Sequence, residues 1–182
     1  CITMEYVQGW TLDEVLWRCA EVGMNLPTDT VIDILRQLTA GLHSAHQARD
    51  ENGIPLRLIH RDLKPQNIFL DLMGVVKIAD FGLAKSSQSL YQTQTGEAKG
   101  SPLYMSPEQI NGSQLDHRSD LFALGTIAVE LVTGLWAFEG DTIPKTFQKI
   151  LTVDCEDALN RVAKLAPQLS PLVESLLQED PS

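Results

Sequence analysis

At 182 residues the chain is long enough for one domain with a real core and too short for two comfortable ones. Its 43% hydrophobic and 21% charged residues exclude the disordered and fibrous classes, and no apolar run approaches the roughly 20 residues that span a bilayer. A formal net charge of −10 disfavours a nucleic-acid partner, which would need a basic face.

The three cysteines, Cys1, Cys19 and Cys155, are odd in number and far apart, so neither a disulfide framework nor a CxxC metal site is on offer. With no signal-peptide pattern, the expectation is a reducing, cytoplasmic setting, compatible with a membrane tether outside these residues. The opening "CITMEYV" lacks an initiator Met and is apolar from its first residues, which reads as part of something longer.

In chain order, "CITMEYV" predicts a short strand that stops at Gly9. Thr11 with Glu14 three residues on forms a capping box for a short helix carrying Leu12, Val15, Leu16 and Cys19. Val31, Leu35, Leu38, Leu42 and Ala45 step at helical spacing and predict a long amphipathic helix. "ARDENGIPLR" is polar, with Asn-Gly and a proline, hence an exposed loop. "NIFL" and "VVKIA" then predict a two-stranded hairpin turning at Gly74. Residues 83–100 have no sustained period and read as a long loop, a length usually tied to function. "SDLFALGTIAVELVTG" is apolar nearly all round and predicts a central buried helix. Two or three amphipathic helices follow, separated by Pro144, Pro167 and Pro171.

The hairpin carries charge at its open ends, where burial costs several kcal/mol unless compensated. A hairpin returns its ends to each other, so Asp80 should face Asn67. That oxygen-only pair suits a hard cation such as Mg²⁺, which keeps waters and borrows phosphate oxygens. Asp62, on the loop before the first strand, is free to accept a proton, and Lys64 adds a cation for a phosphoryl group. A base, a phosphate-directed cation and a metal cradle are the parts of phosphoryl transfer.

"HRDLKPQN", "DFG" eighteen residues on from Asp62, and "GSPLYMSPE" ending at Glu108 together resemble the signature set of the protein kinases, in the serine/threonine form. The resemblance runs over nearly the whole chain and implies an α+β kinase fold, mainly helical here. It implies a hinge at 4–9, a C-lobe at 10–182, and an absent N-lobe. By it, Asp62 would take the proton of a substrate Ser or Thr hydroxyl and Lys64 would steady the γ-phosphoryl of ATP. Asn67 and Asp80 would hold Mg²⁺. Met4 would be the gatekeeper, with the backbones of Glu5 and Val7 addressing adenine, Phe69 beneath the ring and Thr11 near the ribose. Ser101 would bond the catalytic aspartate, and Asp120 would brace the catalytic loop. Protein substrates are the implied partners, together with a second kinase chain for trans-autophosphorylation.

Several features depart from the kinase pattern. No Gly-rich loop, no β3 Lys and no αC Glu are present, nor the arginine that pairs Glu108; "SPE" replaces "APE", and Ala137 stands where proline is common. The lengthened "QARDENGIPLR" resembles some bacterial kinases. The chain alone is expected to be inactive. A pseudokinase that binds without catalysis is the alternative, with the missing N-lobe as its opening. A small-molecule kinase of the aminoglycoside type is disfavoured by the activation segment and "SPE". His43 and His46 read as helix packing rather than metal ligands, the three tryptophans as packing or hinge-flank residues, and "DCED" as a solvated face. Ser86, Ser87, Ser89, Thr93 and Thr95 read as an activation loop switched by phosphorylation, most favourably at Thr93 or Thr95, with Arg61 as the pairing cation. Glu97 is the rival, constitutive partner for that cation.

Overall fold

The computed structural model describes residues 5–81 and 102–178. Its elements run β1 (Gly9–Thr11), α1 (Leu12–Glu21), α2 (Thr28–His46), β2 (Ile68–Asp71), β3 (Val76–Ile78), α3 (Pro107–Asn111), α4 (Arg118–Thr133), α5 (Ile143–Leu151), α6 (Glu156–Leu165) and α7 (Ser170–Leu176). Short 3₁₀ turns at Pro65–Asn67, Pro102–Tyr104 and Pro167–Leu169 link them. The fold is mostly helical, with one small antiparallel sheet in the order β1-β2-β3.

Helix α4 is the axis of the core. Nearly every residue from Ser119 to Val132 is buried, as an all-round apolar helix must be. Helices α2, α6 and α7 pack around it. α2 contributes one stripe, Val31, Ile34, Leu35, Leu38 and Leu42, at the spacing read from the sequence. Each such side chain fully buried stabilises the fold by about 1.5–3 kcal/mol. Phe122 of α4 stacks on Phe138 with ring centroids 5.5 Å apart. At Gly125, a Cβ would lie 2.8 Å from Leu177 Cδ2 and 2.9 Å from Leu176 Cβ, so the absent side chain is what lets the end of α7 close on α4.

The sheet differs from the expectation at its first strand. Glu5–Val7 are not a strand; β1 begins at Gly9, the residue expected to end it, and Met4 and the residues before it lie outside the described residues. Gly9 pairs with Asp71, and a Cβ there would sit 2.1 Å from the Leu70 carbonyl oxygen. The glycine is required by a close backbone approach rather than by a turn. The expected hairpin is therefore two strands of a three-stranded sheet.

Other local signals behave as read. Thr11 N-caps α1 in a full capping box: its Oγ1 accepts from the Glu14 amide at 3.2 Å, and the Glu14 carboxylate accepts from the Thr11 amide at 2.8 Å. Two of the prolines act differently. Pro144 and Pro171 sit in the first turns of α5 and α7 and start those helices, whereas Pro167 opens the 3₁₀ turn that separates α6 from α7 as expected. First-turn amides have no helical acceptor, so proline loses nothing there.

One long-range clamp orients the sheet on the helices. The Gln37 side-chain amide of α2 donates to the Gly74 carbonyl at 3.0 Å, and its oxygen accepts from the Val76 amide at 3.0 Å. Gln37 thus satisfies the hairpin turn and the start of β3 from the side.

Candidate active site

The loop from His60 to Asn67 hangs on one buried carboxylate. Asp120 is 1% exposed near the start of α4, and its oxygens accept three bonds. The His60 amide donates at 2.9 Å, the Arg61 amide at 3.0 Å, and His46 Nε2 at 2.8 Å from the last turn of α2. A buried carboxylate needs this many donors to offset its desolvation. The tie also holds Arg61 at φ 66°, a left-handed conformation that costs a non-glycine residue energy and persists only when its surroundings enforce it.

His60 itself is fully buried. Its Nε2 donates to the Ala79 carbonyl at 2.8 Å, which leaves Nδ1 to accept from the Asp62 amide at 3.3 Å. Its ring lies 4.7 Å from that of Phe81. One imidazole therefore connects the loop before β2 to the segment after β3.

Asp62, Lys64 and Asn67 converge. Lys64 Nζ donates to Asp62 Oδ2 at 3.1 Å, and Asn67 Nδ2 donates to the Asp62 carbonyl at 2.8 Å. The 3₁₀ turn Pro65–Asn67 makes this possible by folding Asn67 back over the loop. The hairpin then closes its ends: the Ala79 amide donates to the Asn67 carbonyl at 2.8 Å, which sets Asp80 beside Asn67. Asp80 is exposed, adopts φ 58°, and makes no hydrogen bond or ion pair among the described residues. Asn67, with its amide nitrogen engaged, keeps its side-chain oxygen available. Two hard oxygen donors fit Mg²⁺ completed by phosphate and water. Among the described residues no cluster of three His, Cys, Asp or Glu could hold a metal by itself.

The remaining predicted residues fall on both sides of this centre. Phe69 and Thr11 are cross-strand partners between β2 and β1, so the residues assigned to adenine and ribose lie together. The Thr11 hydroxyl is already engaged with Glu14 at 3.1 Å. Glu5 is exposed and forms an ion pair with Lys77 of β3, and Val7 is half-buried beyond the sheet. Glu108, in α3, accepts from Ser119 Oγ at 2.5 Å, so a serine of α4 fills one of its oxygens. Met4, Thr93, Thr95, Glu97, Ser101 and the glycine of "DFG" lie outside the described residues.

Three sets of contacts around the site escaped the sequence reading. Gln109 Nε2 donates to the Arg61 carbonyl at 2.7 Å, tying α3 to the catalytic loop. The signal was present: "SPEQ" is a capping box in which Ser106 N-caps α3 and Gln109 answers, so serine in place of alanine adds a helix cap. Gln66 Nε2 donates to Asp13 of α1 at 2.5 Å, fixing the loop to the helix after the hinge. Glu130 of α4 accepts from Tyr104 Oη at 2.6 Å and Trp136 Nε1 at 3.1 Å, and burial pushes its carboxyl above the usual range. Burial and the neighbouring Glu130 raise the Tyr104 phenol as well. No local sequence signal links these three, which come together only through the tertiary fold.

Comparison with known proteins agrees with this geometry. The protein kinase domain family matches over residues 1–182. Serine/threonine-protein kinase pkn3 of Myxococcus xanthus is 39% identical over 100% of the chain and 33% of its own length. Serine/threonine-protein kinase PknL of Mycobacterium tuberculosis is 35% identical over 100% of the chain and 42% of its length. Tyrosine-protein kinase MasK of Myxococcus xanthus is 35% identical over 97% of the chain and 27% of its length. The chain thus spans less than half of each of these bacterial relatives. A loop hung from a buried aspartate, a hairpin that sets Asp80 beside Asn67, and a family match from the first residue to the last have one common explanation: the chain belongs to the protein kinase domain family.

Proposed function

We propose that the protein carrying this chain is a serine/threonine protein kinase that moves the γ-phosphoryl of Mg·ATP onto protein hydroxyls. The observation that supports it most is the convergence of Lys64 and Asn67 on Asp62, with Asp80 next to Asn67 across the closed hairpin. Bound Mg·ATP supplies the transferable phosphoryl group and the charge neutralisation that its departure needs. The chain's own residues do the rest. Asp62 orients the substrate hydroxyl and accepts its proton; the Asn67 bond to its backbone carbonyl fixes its position. Lys64 leaves Asp62 for the phosphoryl oxygens when substrate is present. Asn67 and Asp80 hold the metal. The Glu5 and Val7 backbones address adenine, Met4 is the gatekeeper, and Phe69 is the floor.

The relatives pkn3 and PknL are named serine/threonine kinases, and MasK is named a tyrosine kinase. Tyrosine is therefore the competing acceptor, and phosphoamino-acid analysis of the product separates the two. A phosphate at Thr93 or Thr95 would carry about −1.5 to −2 charge and pair with Arg61 to order the segment before "SPE". Trans-autophosphorylation between two copies is the route to that phosphate.

The test uses the full-length protein. Asp80→Ala should abolish productive nucleotide binding, whereas Asp62→Asn should leave nucleotide affinity nearly intact and lower turnover by 10²-fold or more. Equal loss of affinity in both variants would contradict the roles. Wild-type protein that binds nucleotide without turnover would make it a pseudokinase. In the same series Thr93→Ala/Thr95→Ala and Arg61→Ala should lower turnover together; unchanged activity would transfer the regulatory role to Glu97.

A further inference from the structure

A cavity of about 500 Å³ lies behind the catalytic loop, between the C-terminal half of α2, residues 57–59 and the turn that leads into α4. Its volume falls in the range of small-molecule sites. Leu42, Leu58, Ile59, Leu115 and Leu121 give it an apolar floor. Three of the chain's four histidines, His43, His46 and His117, line it, with Thr39, Gln47 and Gln114 as further groups that can donate, and Arg57 is its one fixed cation. Asp116 is its one carboxylate, and Arg118 already holds it at 2.9 Å. Arg57 is exposed and makes no hydrogen bond or ion pair among the described residues. In a chain of net charge −10, this concentration of cationic and imidazole groups over an apolar floor is a local reversal.

The lengthened connection builds one wall. The Leu56 amide donates to the Ala48 carbonyl at 2.9 Å, Arg49 pairs with Pro55, and the Asp50 carboxylate accepts from the Asn52 and Ile54 amides at 2.9 and 2.8 Å. This turn leads into Arg57, which adopts φ 49°, a left-handed conformation.

We infer that this cavity is a second binding site, for a small organic carboxylate with an apolar body. The guanidinium fork of Arg57 matches a carboxylate, the His43 and His117 imidazoles add donors, and the leucine-lined floor accepts an aryl or short acyl group. Occupancy reaches the active site by a short route. His46 lines the cavity and bonds Asp120, the same carboxylate that holds the His60 and Arg61 amides. A ligand against His46 therefore acts on the catalytic loop through one shared acceptor.

The test is titration of the full-length protein at pH 7 with 3-phenylpropionate, followed by calorimetry and ligand-observed NMR. Acetate, 3-phenylpropanol and 3-phenylpropylamine separate charge, body and sign. Saturable one-to-one binding of the carboxylate, at least tenfold tighter than the other three, is expected. Arg57→Gln should weaken it at least fivefold and Leu115→Phe should abolish it, with near-UV circular dichroism unchanged in both. The bound probe should alter turnover at least twofold in the wild type and not in Arg57→Gln. Equal binding of the alcohol or the amine, or full affinity in Arg57→Gln, overturns the site. Binding with unchanged turnover overturns the coupling. The binding arms read occupancy alone, so their failure is distinct from failure of the kinase reading.

Discussion

At Asp120, one carboxylate holds three donors from two segments far apart in sequence. Removing it leaves the His60 and Arg61 amides and the His46 imidazole without their acceptor in a buried place. Asp120→Ala should therefore cost about 3–5 kcal/mol, read by urea denaturation of the full-length protein, and should suppress turnover as Arg61 leaves its left-handed conformation. Asp120→Asn, which keeps one oxygen, should lose less of both. Glu130 gives a different residue-level outcome. Its carboxyl is raised by burial, so the native state holds a proton that the unfolded chain releases. The stability it confers is fully present below the ordinary carboxylate range and is lost as pH climbs through the raised value. Glu130→Gln cannot ionise, so its stability relative to wild type should improve from pH 4 to pH 7 in thermal melts; a constant difference would contradict the linkage.

Among the elements, β1 shows what sequence patterns hide. Three residues led by glycine carry no strand signal, yet Gly9 is where two backbones meet most closely. Gly9→Ala should force β1 off β2 at a cost of about 1–3 kcal/mol, measured by denaturation. The amides of Leu70 and Leu72 should exchange with solvent faster in that variant. Helix α1 and the α2 stripe were legible because capping and periodicity are local. So was the approach of Asp80 to Asn67, because a hairpin returns its ends whatever the surrounding fold. The Tyr104–Glu130–Trp136 cluster and the Gln66–Asp13 bond were not, because each joins segments whose proximity depends on tertiary packing. Pro144 and Pro171 misled for a local reason: the same residue that breaks a helix interior is at home in its first turn.

For the molecule as a whole, the family's N-lobe parts have no counterpart in this chain: no Gly-rich loop and no β3 Lys occur in it. The 182-residue chain expressed alone should show no ATP-dependent phosphorylation of a basic protein substrate above background. Tyr6, Trp10, Leu72, Met73 and Val75, all exposed on or beside the sheet, should make it prone to self-association by light scattering. Robust turnover by the isolated chain would contradict the division of labour between the lobes. No helix among the described residues is long and apolar enough to cross a membrane.

The dependence of the catalytic loop on Asp120 also sets a clock during synthesis. A ribosome makes residues 60–67 well before residue 120, and until that carboxylate has emerged and α4 has docked, the His60 and Arg61 amides have only water as acceptor. Each growing chain therefore carries Asp62 in an unformed loop. The 60–67 loop can take its folded shape only when the hydrophobic axis is complete, so an unfinished polypeptide on the ribosome would hold the motif without its geometry.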